Sequence, residues 1–206
     1  MSDTNKQAPA SSLNAERRRT LVLAQAALLT ALSYVGFQFL RIDLPVGPEK
    51  TAFHFGNVFL ILAALLIGGL WGGMAGALGM TIADLTSGYA QAAPATFVLK
   101  LCIGLIVGLV AEKILHLSKE QNKKNWAWKA AVASAAGIIF NVIADPLIRL
   151  LFNKVLYGIP GDIAAKLAKI SFVTTGVNGL IAVIAVSFIY SALRPALQKG
   201  GNFVLN

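Results

Sequence analysis

VFLILAALLIGGL, from Val58 to Leu70, holds no charged residue, and neither does LIAVIAVSFI, from Leu180 to Ile189. Similar apolar stretches recur along the chain, six in all, and take up most of its 206 residues. A helical crossing of a bilayer needs about 20 mostly apolar residues. Backbone inside hydrocarbon must satisfy its own hydrogen bonds, which makes the crossings helices. The reading is an all-α integral membrane protein: a six-transmembrane-helix bundle with both termini cytoplasmic.

Composition agrees. Apolar residues make up 56% of the chain and charged residues 13%, against about 25% charged in a soluble domain. Mean hydropathy is +0.69. The net charge of +9 is not a nucleic-acid signal, because no recognition motif accompanies it. Cys102 is the single cysteine, so a disulfide within the chain is excluded. His54 and His116 lie far apart, and neither has metal-ligand spacing around it.

The expected organisation is a disordered cytoplasmic tail over 1–18, a membrane domain over 19–195 and a cytoplasmic tail over 196–206. The helices are expected at about 19–40, 56–67, 72–85, 94–115, 127–153 and 170–193. Pro45, Gly47 and Pro48 mark the segment 41–55 as a loop. Pro94 suits the first turn of the fourth helix, where its missing N–H costs nothing. Pro195 is expected to end the sixth. With the N-terminus inside, 11 Lys and Arg fall in cytoplasmic segments and 5 in outer ones. That bias sets the orientation.

Polar residues inside such helices are expensive and mark function or pairing. Here they are Asp84, Lys100, Asn141, Asp145, Arg149 and Asn178. Asp145 and Arg149 are four residues apart and share one helix face. Asp84 and Lys100 are placed for a salt bridge across the outer loop. His54, Asn57, Tyr89, Gln91 and Phe97 fall in or near the outer loops, where a few polar groups in an apolar pocket suit a small organic ligand. The candidate substrate-binding set is His54, Asn57, Tyr89, Gln91, Phe97, Asn141, Asp145 and Arg149. Small residues recur at helix-packing spacing: Ala27 and Ala31 in the first helix, Gly72 and Gly76 in the third, Gly104 and Gly108 in the fourth. There is no catalytic constellation and no phosphate-cradling glycine loop with lysine, so nothing here powers pumping.

The run His54-Phe55-Gly56-Asn57 leading into Val58 to Leu66, then Ala83-Asp84-Leu85 with Ser87-Gly88-Tyr89, then Ala93-Pro94-Ala95-Thr96-Phe97-Val98-Leu99-Lys100, resembles the substrate-binding S components of energy-coupling factor (ECF) vitamin transporters. The Ala27/Ala31 pair resembles the alanine motif that such proteins carry on the first helix, and is the candidate partner interface. The resemblance implies a vitamin pocket near the outer face, closed by the loop between the first two helices. It also implies partners: a vitamin ligand, a membrane coupling subunit and two cytoplasmic ATPase subunits that use the ATP, the chain itself having no intrinsic cofactor. The implied location is the bacterial cytoplasmic membrane, multi-pass. The His-Phe-Gly-Asn form looks nearest to the cobalamin-type members. Pyridoxal, hydroxymethylpyrimidine and riboflavin are the alternative ligands. Two readings of other classes stand beside it: an integral membrane enzyme using Asp84, Asp145 and a histidine, and an adaptor subunit without ligand.

Overall fold

A computed structural model describes residues 10–46 and 49–200 of the chain. Among the described residues six helices form the bundle: α1 (Ala10–Gln38), α2 (Gly56–Ile67), α3 (Gly69–Thr86), α4 (Ala93–Leu109), α5 (Lys123–Leu151) and α6 (Gly161–Gly200). Between α1 and α2 lies an antiparallel hairpin of β1 (Arg41–Val46) and β2 (Glu49–His54), with Arg41 opposite His54 and Leu44 opposite Thr51. The carboxyl ends of α4 and α5 each widen into a π-helical turn, Val110–Ile114 and Phe152–Leu156.

α2 is the centre of the bundle. At 12 residues and about 1.5 Å per residue it is too short to span a hydrocarbon core of about 30 Å. Its residues from Leu60 to Ile67 are 0–4% exposed, so its length is no handicap: protein rather than lipid surrounds it. Outward-facing positions on the other helices are apolar, with Leu23, Val98, Leu105, Ile143, Leu180 and Phe188 all exposed. That inversion of the soluble pattern is what a lipid-facing surface requires.

Glycines set the closest approaches. A Cβ on Gly104 would lie 2.2 Å from Gly73 Cα, and one on Gly108 would lie 2.3 Å from Gly69 Cα. α3 and α4 therefore meet backbone to backbone, as small residues permit in lipid. Gly72 meets the backbone of Ala63 and Ala64 in α2 just as closely, and Gly79 meets the Thr30 carbonyl of α1. The small residues of the third and fourth helices thus serve packing within the bundle. Ala27 and Ala31 differ: both lie on an exposed face of α1.

Four boundaries depart from expectation. The segment 41–55 is the hairpin rather than an irregular loop, because β1 and β2 pair with each other and dock on α6. α1 begins at Ala10 rather than near Arg19, so residues 10–18 of the expected disordered tail are helical; residues 1–9 lie outside the described part. α6 begins at Gly161, since Ala164 and Leu167 bury one face of its first turns while Lys166 and Lys169 stay exposed. α6 also passes through Pro195 to Gly200. A proline inside a helix forfeits one backbone bond. Here Arg194 anchors the preceding turn and Leu197 packs against the core. Residues 201–206 lie outside the described part.

Arg194 is that anchor. It is 2% exposed and donates to the carbonyls of Leu117 (2.8 Å), Ser118 (2.8 Å) and Glu120 (3.1 Å) and to the Tyr190 hydroxyl (3.3 Å). Its guanidinium also sits 4.4 Å from the Trp126 ring centroid. Arginine's planar fork suits this multiple donation. Glu120 is held in turn by Lys129 at 2.6 Å. The Lys129 hydrogen bond, aided by the Asn122 N–H and the Asn125 amide, lowers its carboxyl to about 2.

Candidate functional site

The hairpin covers a polar cavity of about 50 Å3 at one end of the bundle. Each surrounding element contributes. α2 supplies Asn57, α3 supplies Asp84, α4 supplies Thr96 and Lys100, and α5 supplies Asn141, Asp145 and Arg149. α6 adds Ser171, Thr174, Thr175 and Asn178, at the three- and four-residue steps that keep one helix face inward. Phe37, His54 and Tyr89 form the aromatic side. Phe37 lies 4.5 Å from the His54 ring and 6.0 Å from the Tyr89 ring.

The hairpin is tied down on two sides. Asn178 accepts from the His54 N–H at 3.0 Å and donates to the Ala52 carbonyl at 2.9 Å, so one side chain satisfies the exposed edge of β2 as a neighbouring strand would. Thr51 and Thr174 share a hydroxyl hydrogen bond of 3.1 Å. On the other side the Tyr89 hydroxyl donates to Asp43 at 2.8 Å. Arg41 pairs with Asp43 at 3.2 Å, its cation 5.6 Å from the Tyr89 ring centroid. Burial, then the Asp43 contact, pushes the Tyr89 hydroxyl well above its ordinary value, so it remains a donor.

His54 faces inward, neutral. Its Nδ1 accepts from the Gly56 N–H at 3.2 Å, which leaves the proton on Nε2. Burial, with the Lys100 and Arg149 cations nearby, pushes the imidazole down to about 3.

The acidic and basic groups divide into a satisfied pair and an unsatisfied one. Arg149 Nε donates to both Asp145 oxygens at 3.1 Å. Ser171 and Thr175 donate to Asp145 as well. The expected pairing of Asp145 with Arg149 is therefore present. The expected salt bridge between Asp84 and Lys100 is not. Asp84 Oδ2 is buried without a hydrogen-bond partner, although the Thr96 hydroxyl approaches the carboxylate. Lys100, 7% exposed, has no hydrogen bond and no ion pair among the described residues. The two face the same cavity instead of each other. Asn141, fully buried, has neither end of its amide satisfied among the described residues, and Asn57 Oδ1 has no hydrogen-bond partner among them. Buried polar groups without partners cost about 1–3 kcal/mol each, so four around one cavity mark a place built for something other than stability.

Six of the eight residues expected to bind substrate line this cavity: His54, Asn57, Tyr89, Asn141, Asp145 and Arg149. Gln91 does not. It borders a second, outer cleft of about 340 Å3 together with Phe152, Asn153 and Tyr157. Tyr89 and Arg149 belong to both spaces, so the cleft adjoins the cavity. Phe97 is partly buried and lines neither. Lys100 and Asp84, expected to pair with each other, line the cavity instead and join the site. Ser171, Thr174 and Thr175 carry no sequence signal beyond the three- and four-residue spacing that puts them on one face of α6 with Asn178.

Residues 18–195 match the protein family described as "ECF-type riboflavin transporter, S component". The chain belongs to this family. S components are the substrate-binding subunits of vitamin importers, working with a membrane coupling subunit and ATPases. The family is one of multi-pass membrane transport subunits rather than enzymes. An uncharacterized protein of Pyrococcus woesei, described as lying in a gap 3' region, is 37% identical over 67 residues. That match covers 32% of this chain and 45% of the relative. No solved structure matches the chain.

Proposed function

We propose that this S component captures a planar heterocyclic vitamin, of riboflavin size or smaller, beneath the hairpin at the outer face. It then hands the ligand inward by reorienting against a membrane coupling subunit driven by two cytoplasmic ATPases. The observation that carries the reading is the hairpin-covered cavity, polar and deep in an apolar bundle, with several of its polar groups unsatisfied. An adaptor without ligand would gain nothing from that arrangement and would bear its cost.

Size argues for the smaller ligands and against cobalamin. Ligand sites commonly occupy about 300–1,000 Å3. A cavity of about 50 Å3 opening beside a cleft of about 340 Å3 suits a compact ring system and its substituents better than a corrin macrocycle with its side chains. The family description, which names riboflavin, points the same way. The outer placement rests on the charge bias: the Lys- and Arg-rich segments lie at the end opposite the hairpin. Ala27 and Ala31 present the small-residue face on which the coupling subunit docks.

Thermal melting of the purified chain in lipid nanodiscs tests the ligand class. Riboflavin or a smaller heterocyclic vitamin is expected to raise the melting temperature in proportion to the logarithm of its concentration above Kd, with cobalamin inert. Stabilisation by cobalamin alone would overturn this reading.

A further inference from the structure

The unsatisfied groups around the cavity specify which edge of the ligand they read. This rests on the vitamin-binding function above. The cavity holds two acidic and two basic side chains, Asp84, Asp145, Lys100 and Arg149, so their formal charges cancel. Asp145 and Arg149 are engaged with each other. That leaves one buried cation, Lys100, with no hydrogen bond or ion pair among the described residues, and one buried carboxylate oxygen, Asp84 Oδ2, with no hydrogen-bond partner among them, both lining the same small space. A ligand bearing only an anion would satisfy Lys100 and be repelled by Asp84. A ligand bearing only a cation would do the reverse. A neutral group with an acceptor beside a donor satisfies both.

Asn141 repeats the demand. Its amide oxygen and nitrogen are both buried and unpaired, so whichever way the amide is turned it offers one donor and one acceptor side by side. The complement of a primary amide is a ring –CO–NH– unit. Asn57 Oδ1 adds a further acceptor at the same cavity, and the Phe37, His54 and Tyr89 rings supply a wall for a flat ring.

We propose that the ligand enters with a lactam or imide edge foremost, its ring carbonyl accepting from Lys100, its ring N–H donating to Asp84, and the Asn141 amide pairing alongside. Asp84, Lys100 and Asn141 are thus specificity-determining residues. They select an uncharged ring amide over carboxylates, phosphates and cationic heterocycles.

The test is calorimetric titration of the full chain in nanodiscs with a defined panel: riboflavin, lumazine, N3-methylriboflavin, pyridoxal, hydroxymethylpyrimidine, pantothenate, thiamine and cobalamin. Riboflavin or lumazine is expected to bind. Methylation at N3, which removes the N–H without touching the protein, is expected to weaken binding by about 10- to 100-fold, the size of a lost hydrogen bond to a charged group. Lys100→Met is expected to weaken riboflavin binding by a similar factor. If N3-methylriboflavin matches riboflavin, or if a panel member without the lactam edge binds while riboflavin and lumazine do not, the edge assignment falls and the vitamin-binding function stands. If no vitamin in the panel binds, both fall.

Discussion

Asn178 does two jobs with one amide, receiving the His54 N–H and donating to the Ala52 carbonyl. Removing it leaves two edge groups of β2 unpaired over the cavity. Asn178→Leu is therefore expected to lower stability by about 1–3 kcal/mol and to loosen the hairpin specifically. Hydrogen exchange would register this as faster exchange at residues 51–54 with the α3–α4 contact unchanged; unchanged exchange in the hairpin would show that the tie is not needed. His54 gives a pH dependence. Its imidazole is held down at about 3 against an ordinary 6.5, so between those values the unfolded chain binds the proton and the folded one does not. Stability from this group is intact above pH 6.5 and declines as pH falls below it. The melting temperature is expected to drop from pH 7.5 to pH 5 in the parent and to drop less in His54→Gln. Equal drops in both would assign the effect to other groups.

At the scale of elements, the glycine contacts divide sharply. Gly104 has Gly73 against it, while a Cβ on Gly176 in α6 would meet nothing within 4 Å. Gly104→Val must push α3 and α4 apart and is expected to cost about 1–3 kcal/mol or more. Gly176→Ala removes backbone freedom and is expected to be neutral or stabilising by up to about 1 kcal/mol. Detergent-solubilised melting of the pair checks the contrast, and equal shifts would refute it. The helix interiors were legible from hydropathy alone, α2 to the residue. The hairpin was not, because Pro45, Gly47 and Pro48 read as punctuation, and pairing with α6 is not a local property. The start of α6 is partly legible: Ala164, Leu167, Ser171 and Asn178 keep helical spacing, but Pro160 and the exposed Lys166 and Lys169 interrupt the apolar pattern there. The inner site was legible as a set of intramembrane polar residues. Which of them pair and which face the cavity depends on helix phase, and phase is poorly encoded where both the lipid side and the core side are apolar.

At the scale of the whole molecule, the two ends of the bundle have separate tasks. The hairpin end carries the cavity; the opposite end is fixed by Arg194 gripping the α4–α5 connection. Ala27 and Ala31 lie exposed on α1, away from the residues that line the cavity. Ala27→Leu with Ala31→Leu is accordingly expected to leave vitamin affinity intact while reducing ATP-driven uptake in cells that supply the coupling subunit and ATPases. Normal uptake by the double variant would remove α1 from the docking face. The hairpin-covered cavity is proposed as the vitamin site. Equilibrium dialysis of the purified chain against a mixture of vitamins, read by mass spectrometry, tests it most directly when parent and Asn141→Leu are run side by side. The parent is expected to retain one heterocyclic vitamin near one equivalent, and Asn141→Leu, correctly folded, to lose most of it. Retention of cobalamin alone, of nothing, or of the same vitamin equally by both proteins would contradict it.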